Sequence, residues 1–339
     1  KDNNQIYNKN MTRIRKLNCF DYPKIKKMIA YLGSDEGAQF SKALLNEPFG
    51  FINSILPLKY KFLHESYILL DGKEILGLIT VEPVIGNHYK INITRLIFQN
   101  NLYDAGKQLI DFVISKYSAK GATSFIVSVD ECHDELLRLF TDGCGFRQCA
   151  SETLWKLENF EKTKDIPCGF RPFNNGDAKE VCRLYNSEIE TIYKASFERI
   201  RQEFEDPILG GYSAFYKNRY VLEEPLRKKI IAYLSITTSD NSNFIIDFIT
   251  NNGYEISYDD ILKYAISEID RRRSVFYPII KQKNYTKTAE KVGEYLNSKG
   301  CKPIQTQIIL VKNFYRPVKT AENALQVFLF GENSRIVTN

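Results

Sequence analysis

Ile14-Arg15-Lys16-Leu17-Asn18-Cys19-Phe20-Asp21-Tyr22-Pro23-Lys24-Ile25-Lys26-Lys27-Met28 is a pattern that returns as Phe170-Arg171-Pro172-Phe173-Asn174-Asn175-Gly176-Asp177-Ala178-Lys179-Glu180-Val181-Cys182-Arg183-Leu184. Arg15 matches Arg171, Asn18 matches Asn174 and Asp21 matches Asp177, all at one displacement (171 − 15 = 156). The apolar positions match as well: Ile14 with Phe170, Leu17 with Phe173, Ile25 with Val181, Met28 with Leu184. Each copy reads as a short strand, a turn and a helix. Its Asp is expected to cap that helix by accepting the orphan N–H groups of the first turn. Self-similarity at this displacement points to a duplicated domain.

The far ends of the two copies correspond too. A helical stretch stops at Gly145 in the first copy and at Gly300 in the second, and a strand follows, closing in Thr153-Leu154-Trp155-Lys156-Leu157 and in Thr306-Gln307-Ile308-Ile309-Leu310-Val311-Lys312. Glycine suits the left-handed residue that ends a helix. Between the ends, the first copy reads as a hairpin (Ser66–Asp71, Glu74–Val81) around Asp71-Gly72, a strand Lys90–Phe98, an amphipathic helix Asp104–Tyr117 and a strand Thr123–Val129. The second reads as strands Lys229–Thr237 and Asn243–Thr250, a helix Tyr258–Ile269 and a strand Ser274–Ile280. The fold class is therefore α/β, with a mixed α+β sheet in each of two tandem copies. The expected organisation is a flexible lead at 1–10, with Met11 as a natural start, a first domain at 11–160 and a second at 161–339. The polar run Glu158–Ile166 joins them, and the C-terminal extension from Tyr315 carries a candidate edge strand at Val327–Phe330.

Composition narrows the function. The 339 residues carry 47 Lys+Arg against 41 Asp+Glu, a net charge of +6, and 43% hydrophobic residues, which is ordinary for a packed protein. Cations and carboxylates are interspersed, so no nucleic-acid partner is expected, and Arg271-Arg272-Arg273 reads as a solvated helix end. No run approaches the ~18 apolar residues of a membrane span, and the N-terminus has no signal-peptide core, so the reading is cytoplasmic with no membrane partner. The seven cysteines include no Cys-x-x-Cys, and only Cys132-His133 adjoin, so no metal site is expected and the thiols read as reduced.

The order of elements, with an Arg-bearing first strand and a Gly-stopped helix before each last strand, resembles the GNAT superfamily of acetyl-CoA-dependent N-acetyltransferases. The resemblance spans nearly the whole chain as two tandem GNAT-like domains. It implies acetyl-CoA as co-substrate, held along the strand that leads into the central helix and at that helix's N-terminus, where amide N–H groups meet the diphosphate. In the first copy this implies Leu96, Ile97, Phe98, Asn101, Asp104, Ala105, Gly106 and Lys107. The family's Arg/Gln-x-x-Gly-x-Gly/Ala pattern keeps its second glycine as Gly106, with Asn101 and Asp104 standing in place of Arg/Gln and Gly. Asp104 puts a carboxylate where a phosphate would lie; the plain alternative is a helix cap. In the second copy both glycines are replaced, by Ile256 and Tyr258, so the first copy is the expected acetyl-CoA site.

The resemblance also implies a base for the substrate ammonium and a Tyr acid for the leaving thiolate. Thr141 and Leu296 occupy the Tyr position, and Tyr295 stands one place early. Candidate bases are Glu82, at a strand end, and Asp247, a carboxylate inside Ile245-Ile246-Asp247-Phe248-Ile249, where burial would raise its pKa. Ser187–Phe204 reads as a charged helical region bordering the acceptor groove, with Glu188, Glu190, Arg199, Arg201 and Glu203. Two functions follow. One is an acyl-CoA-dependent N-acyltransferase acting on a small amine, amino acid or peptide. The other is a catalytically degenerate pair that binds a ligand or partner.

Overall fold

The structure, a computed structural model, describes residues 12–31, 65–84, 86–98, 102–158, 160, 169–206, 216–238 and 241–314. The lead at 1–10, Asn101, most of the Glu158–Ile166 join and the extension from Tyr315, with Val327–Phe330, lie outside the described residues.

The first repeat runs β1 (Arg13–Lys16), α1 (Tyr22–Tyr31), β2 (Glu65–Asp71), β3 (Glu74–Val84), β4 (Asn87–Phe98), α2 (Lys107–Ala119), β5 (Ser124–Asp130), α3 (Asp134–Arg138) and β6 (Arg147–Lys156). The second runs β7 (Phe170–Pro172), α4 (Ala178–Glu188), α5 (Lys194–Phe197), β8 (Tyr216–Glu223), β9 (Ile230–Thr238), β10 (Asn243–Thr250), α6 (Tyr258–Asp270), β11 (Tyr277–Lys283), α7 (Ala289–Ser298) and β12 (Lys302–Asn313). β8 is a strand that the sequence pattern did not single out. α2 starts three residues later than expected, behind a π-helical turn at Leu102–Gly106, and α3 passes into a second π-helical turn at Leu139–Gly143. Ser187–Phe204 is no continuous helix. After α4 ends it holds only a β-bridge from Ile189 to Thr286, two 3-10 turns and the four-residue α5.

The repeat at the two N-termini is real in three dimensions, but its Asp works differently from the expectation. Arg15 holds Asp21 in a two-pronged pair (2.7 and 2.7 Å), and Arg171 holds Asp177 in the same way (2.8 and 2.8 Å). Each Asp accepts backward, from the N–H of Asn18 or Asn174, while the Asn side chain accepts the turn's own N–H, from Phe20 or Gly176. The Asn is thus the cap, and the Asp closes the reciprocal box. Gly145 (φ +68°) and Gly300 (φ +69°) end their helices in the left-handed region, as expected.

The twelve strands among the described residues lie in one sheet, in the order β1-β2-β3-β4-β5-β12-β6-β11-β10-β9-β8-β7. The ladders of the central helices' strands repeat with a single displacement: Lys90↔Ser124, Ile91↔Phe125 and Asn92↔Ile126 return as Ile245↔Ile279, Ile246↔Ile280 and Asp247↔Lys281 (245 − 90 = 155). The last strands are exchanged. β12 inserts between β5 and β6, and β6 pairs on its other side with β11. Ile308 and Leu310 of β12 accordingly pack in the first repeat's core, with Leu109, Ile110 and Val113 of α2. Trp155 of β6 packs in the second repeat's core, with Ile261 and Ala265 of α6. Each fully buried side chain of this kind is worth about 1.5–3 kcal/mol, so neither core closes without a strand from the other repeat. The opposite face of the sheet is covered by α1 and by α4 with the segment down to Phe204.

Candidate functional site

The parallel ladder between β4 and β5 runs from Lys90↔Ser124 to Ile93↔Val127 and stops there. β4 continues to Phe98 and β5 to Asp130, so the two strands part over their last residues. Leu96, Ile97 and Phe98 keep their ladder to β3, through Ile79, Leu78 and Gly77, and so β4 is unpaired only on its β5 side. A bulge at Thr94 marks the same place, since Thr80 faces Arg95 and Val81 faces Ile93. Beyond the split lies the N-terminal end of α2. Gly106 is glycine for packing, because a Cβ there would stand 2.7 Å from Leu139 Cδ2. Ala105 is buried and Asp104 is exposed, both in the helical turn that runs into α2. Lys107, half exposed, donates to the Gly143 carbonyl (2.6 Å) and pairs with Asp111 (3.2 Å).

A cavity of about 570 Å³ opens on the sheet face away from α2, at this split. Its floor includes Asn92, Thr94, Val127 and Ser128 around the parting strands, and Glu152 and Gln307 where β6 and β12 run side by side. Glu82 stands on its rim, at the end of β3. The roof comes from the second repeat: Tyr185 of α4, Phe197 at the end of α5, and Arg199 and Glu203 beyond it. This roof is fastened to the first repeat. Glu203 accepts from Asn87 (2.8 Å) and pairs with Lys90 (3.4 Å), whose ammonium also donates to the Glu198 carbonyl (2.7 Å). Gly86 lies in the left-handed region (φ +75°), and a Cβ there would sit 2.1 Å from the Gln202 carbonyl oxygen, so only glycine fits this turn.

A chain of polar groups runs through the wall. Lys281 pairs with Glu152 (3.0 Å), the Tyr285 hydroxyl donates to Glu152 (3.0 Å), and Tyr285 stacks on Phe197 at 4.2 Å. Tyr285 is completely enclosed, and burial with neighbouring Tyr185 and Glu152 drives its pKa well above that of a free tyrosine. These members escaped the sequence reading. Glu152 lies more than a hundred residues from Lys281 and Tyr285, and the one available signal was charge inside the strands Ser151-Glu152-Thr153 and Ile280-Lys281-Gln282-Lys283.

The second repeat has a corresponding split, between β10 and β11 beyond Asp247↔Lys281, and its chemistry differs. Asp247 pairs with Lys283 across the parting strands. Burial pushes the Asp247 carboxyl up, but Lys283, Lys281 and Arg199 together hold it below the usual range. The expected raised pKa is thus reversed: three cations stabilise the charged form more than burial penalises it, which makes Asp247 a weak base. At the start of α6, Asp259 receives Lys299 (2.6 Å), Lys263 (2.9 Å) and the Tyr295 hydroxyl (3.0 Å). Lys263 and Lys299 lead in holding its carboxyl far below the usual range. Burial and this bond to Asp259 raise the Tyr295 pKa in turn. Tyr295 therefore lies beside α6, away from the cavity residues, with its proton committed to Asp259. Of the three sequence candidates for catalysis, only Glu82 lines the cavity.

No family model matches the sequence, and no curated protein matches it. Solved structures do. A tandem GNAT protein from the clavulanic acid biosynthesis pathway superposes with a TM-score of 0.56 at 12% identity, over 91% of this chain and 100% of its own. A GCN5-related N-acetyltransferase from Sphaerobacter thermophilus superposes with a TM-score of 0.57 at 10% identity, over 91% of this chain and 97% of its own.

This is a tandem GNAT fold. Within it the first GNAT copy keeps an open split beside α2, and in the second copy the Ser257 hydroxyl caps the start of α6, accepting from the Asp260 N–H (3.2 Å). At the position of the GNAT acid, Thr141 donates to the Leu137 carbonyl (3.0 Å) and Leu296 is fully buried, so neither copy presents a tyrosine there. Among the described residues no group of three or more His, Cys, Asp and Glu side chains is placed to hold a metal ion, and no helix is long and apolar enough to cross a membrane.

Proposed function

We propose that the protein is an acyl-CoA-dependent N-acyltransferase whose first GNAT copy does the chemistry. The observation that carries this reading is that the cavity opens where the β4–β5 ladder ends, at Ile93 and Val127. A thioester entering from the α2 side through the split would present its carbonyl carbon to an amine in the cavity. The free edge of β4 at Leu96, Ile97 and Phe98 offers backbone groups to an extended amide-containing arm. The diphosphate would lie at the start of α2, where amide N–H groups and the Lys107 ammonium suit an anion and the Asp104 carboxylate opposes it.

In this reading Glu82 takes a proton from the substrate ammonium, directly or through one water. The amine nitrogen attacks the thioester carbon, the C–S bond breaks, the nitrogen releases its remaining excess proton to solvent to give the neutral amide, and the thiolate leaves and is protonated from solvent. Binding in a cavity lined by both copies supplies the orientation that makes such an attack effectively unimolecular. The second copy has no catalytic part here: Ile256 and Tyr258 replace both glycines at α6, Ser257 already caps that helix, and Asp247 is ion-paired. The site operates in the cytoplasm on a small amine, amino acid or peptide. No nucleic acid or membrane is involved.

The test is thermal unfolding with acetyl-CoA and with CoA. Ligand at ~100 times Kd adds roughly 2.7 kcal/mol to the native state, a shift of several degrees or less. A shift with one equivalent of acetyl-CoA bound is the expected result. No shift at millimolar ligand would overturn the reading in favour of a binding-only pair. Asp104→Gly removes the opposing carboxylate and should tighten acetyl-CoA binding severalfold.

A further inference from the structure

Six charged side chains line the cavity: Glu82, Glu152 and Glu203 against Lys90, Arg199 and Lys281. The formal charge of the lining is therefore zero. An acceptor with a net charge would upset that balance, and a zwitterion would not.

The three cations are not equivalent. Lys281 is paired with Glu152 at 3.0 Å, and Lys90 donates to the Glu198 carbonyl at 2.7 Å and pairs with Glu203. Arg199 makes no side-chain hydrogen bond among the described residues, and its one ion pair there, to Glu203, is loose at 3.9 Å. Its side chain is 40% exposed. Its position is nonetheless fixed. Asn186 clamps the backbone at both polar atoms, accepting from the Arg199 N–H (3.0 Å) and donating to its carbonyl (2.8 Å), and the guanidinium carbon lies over the Tyr185 ring, 4.4 Å from its centre. A guanidinium held by its stem and by one face, with its N–H fork unspent, is pre-organised for a planar two-oxygen anion.

We propose that the acceptor is a small amine that also carries a carboxylate, a free amino acid in its zwitterionic form, with Arg199 of the second copy binding the carboxylate. The cavity's size is that of a small-molecule site. A phosphate monoester fits less well, because its second negative charge would face three carboxylates in the same cavity. The ammonium of the zwitterion belongs on the Glu82 side. Only this last placement rests on the acyl-transfer reading; binding of the carboxylate does not.

The experiment measures binding to the full chain by calorimetry, without any acyl donor. The probes are the common amino acids, each with its carboxamide, which keeps the amine and removes the negative charge. At least one amino acid should bind at millimolar concentration or below, and its amide roughly tenfold to hundredfold more weakly. Arg199→Gln should abolish that acid-over-amide ratio, and Arg199→Lys should restore part of it; the thermal midpoint of each variant reports whether it is folded. If no amino acid binds, if acid and amide bind alike, or if the ratio survives in folded Arg199→Gln, the inference is wrong. Release of CoA thiol from acetyl-CoA is then followed with the amino acid that binds. Selective binding without thiol release would overturn acyl transfer and leave the carboxylate site standing. Thiol release with an amide as readily as with its acid would overturn the carboxylate site and leave acyl transfer standing.

Discussion

The two splits in the sheet open at corresponding strand pairs and then part company. At the first, β4 and β5 separate beyond Ile93 and Val127 and a cavity fills the gap on one face. At the second, β10 and β11 separate beyond Asp247 and Lys281, and the Asp247–Lys283 pair spans the parting strands. The helix starts differ in the same sense. α2 begins with an exposed lysine, whereas α6 begins with a carboxylate that already satisfies two lysines and a tyrosine. The start of α6 also has an N–H already taken by the Ser257 hydroxyl and an added carboxylate beside it, which disfavours a diphosphate. Duplication thus produced two frames, and a few charged side chains decide which of them stays open. The closed copy is still needed, since it roofs the open one with Arg199 and Glu203.

The sharpest way to break this comparison is at the fastening of the roof. Gly86→Ala drives a Cβ against the Gln202 carbonyl in a left-handed turn, so a loss of roughly 3 kcal/mol is expected, read as the midpoint of urea unfolding. Loss of amino-acid binding should accompany it in whatever fraction stays folded. A neutral result would mean that the roof does not sit on that turn.

Next in size is the pair that spans the second split. Asp247→Asn leaves the Lys283 ammonium, 7% exposed, without its partner. Because Asp247 itself is 28% exposed, about 2–3 kcal/mol is expected rather than the full cost of breaking a buried pair. The sign with pH follows from the lowered carboxyl. A group whose pKa is depressed on folding stabilises above its unfolded pKa, and that contribution is lost as pH falls through the folded value. The deficit of Asp247→Asn against the parent should therefore be full at pH 7 and shrink below about pH 4. A deficit that does not change with pH would show that the pair is not the cause.

The smallest effect sharpens the comparison most. Asp259→Asn removes a partly exposed carboxylate with exposed partners, so less than about 1 kcal/mol is expected. Acetyl-CoA stoichiometry by calorimetry should remain one per chain, because Ile256 and Tyr258 still replace both glycines. A rise to two would show that one carboxylate alone separates the two copies.

Much of this was legible along the chain. The Arg-x-x-Asn-x-x-Asp repeat, the Asp71-Gly72 hairpin turn and the helix-ending glycines depend on neighbours a few residues away, and local patterns carry local geometry. The cap was misassigned because Asn and Asp in that turn can each accept an N–H, and only the Arg15 and Arg171 forks decide which of them turns back. Asp247 was found as an odd carboxylate, but the sign of its shift was missed, since Lys283 and Arg199 reach it from other segments. Glu152, Lys281 and Tyr285 carry no motif at all.

The sequence by itself determined that the chain is a duplicated α/β unit, and through Ile256 and Tyr258 it indicated which copy lacks the glycines for a diphosphate. Those properties lie in spacing, which is written along the chain. Tertiary structure alone decided that β6 and β12 change places, that a cavity lies between the copies, and that its walls balance three carboxylates against three cations. The physical reason is that electrostatics and packing act through space: Glu82, Glu152, Arg199 and Lys281 come from four separate segments, and no periodicity in the sequence records that they meet.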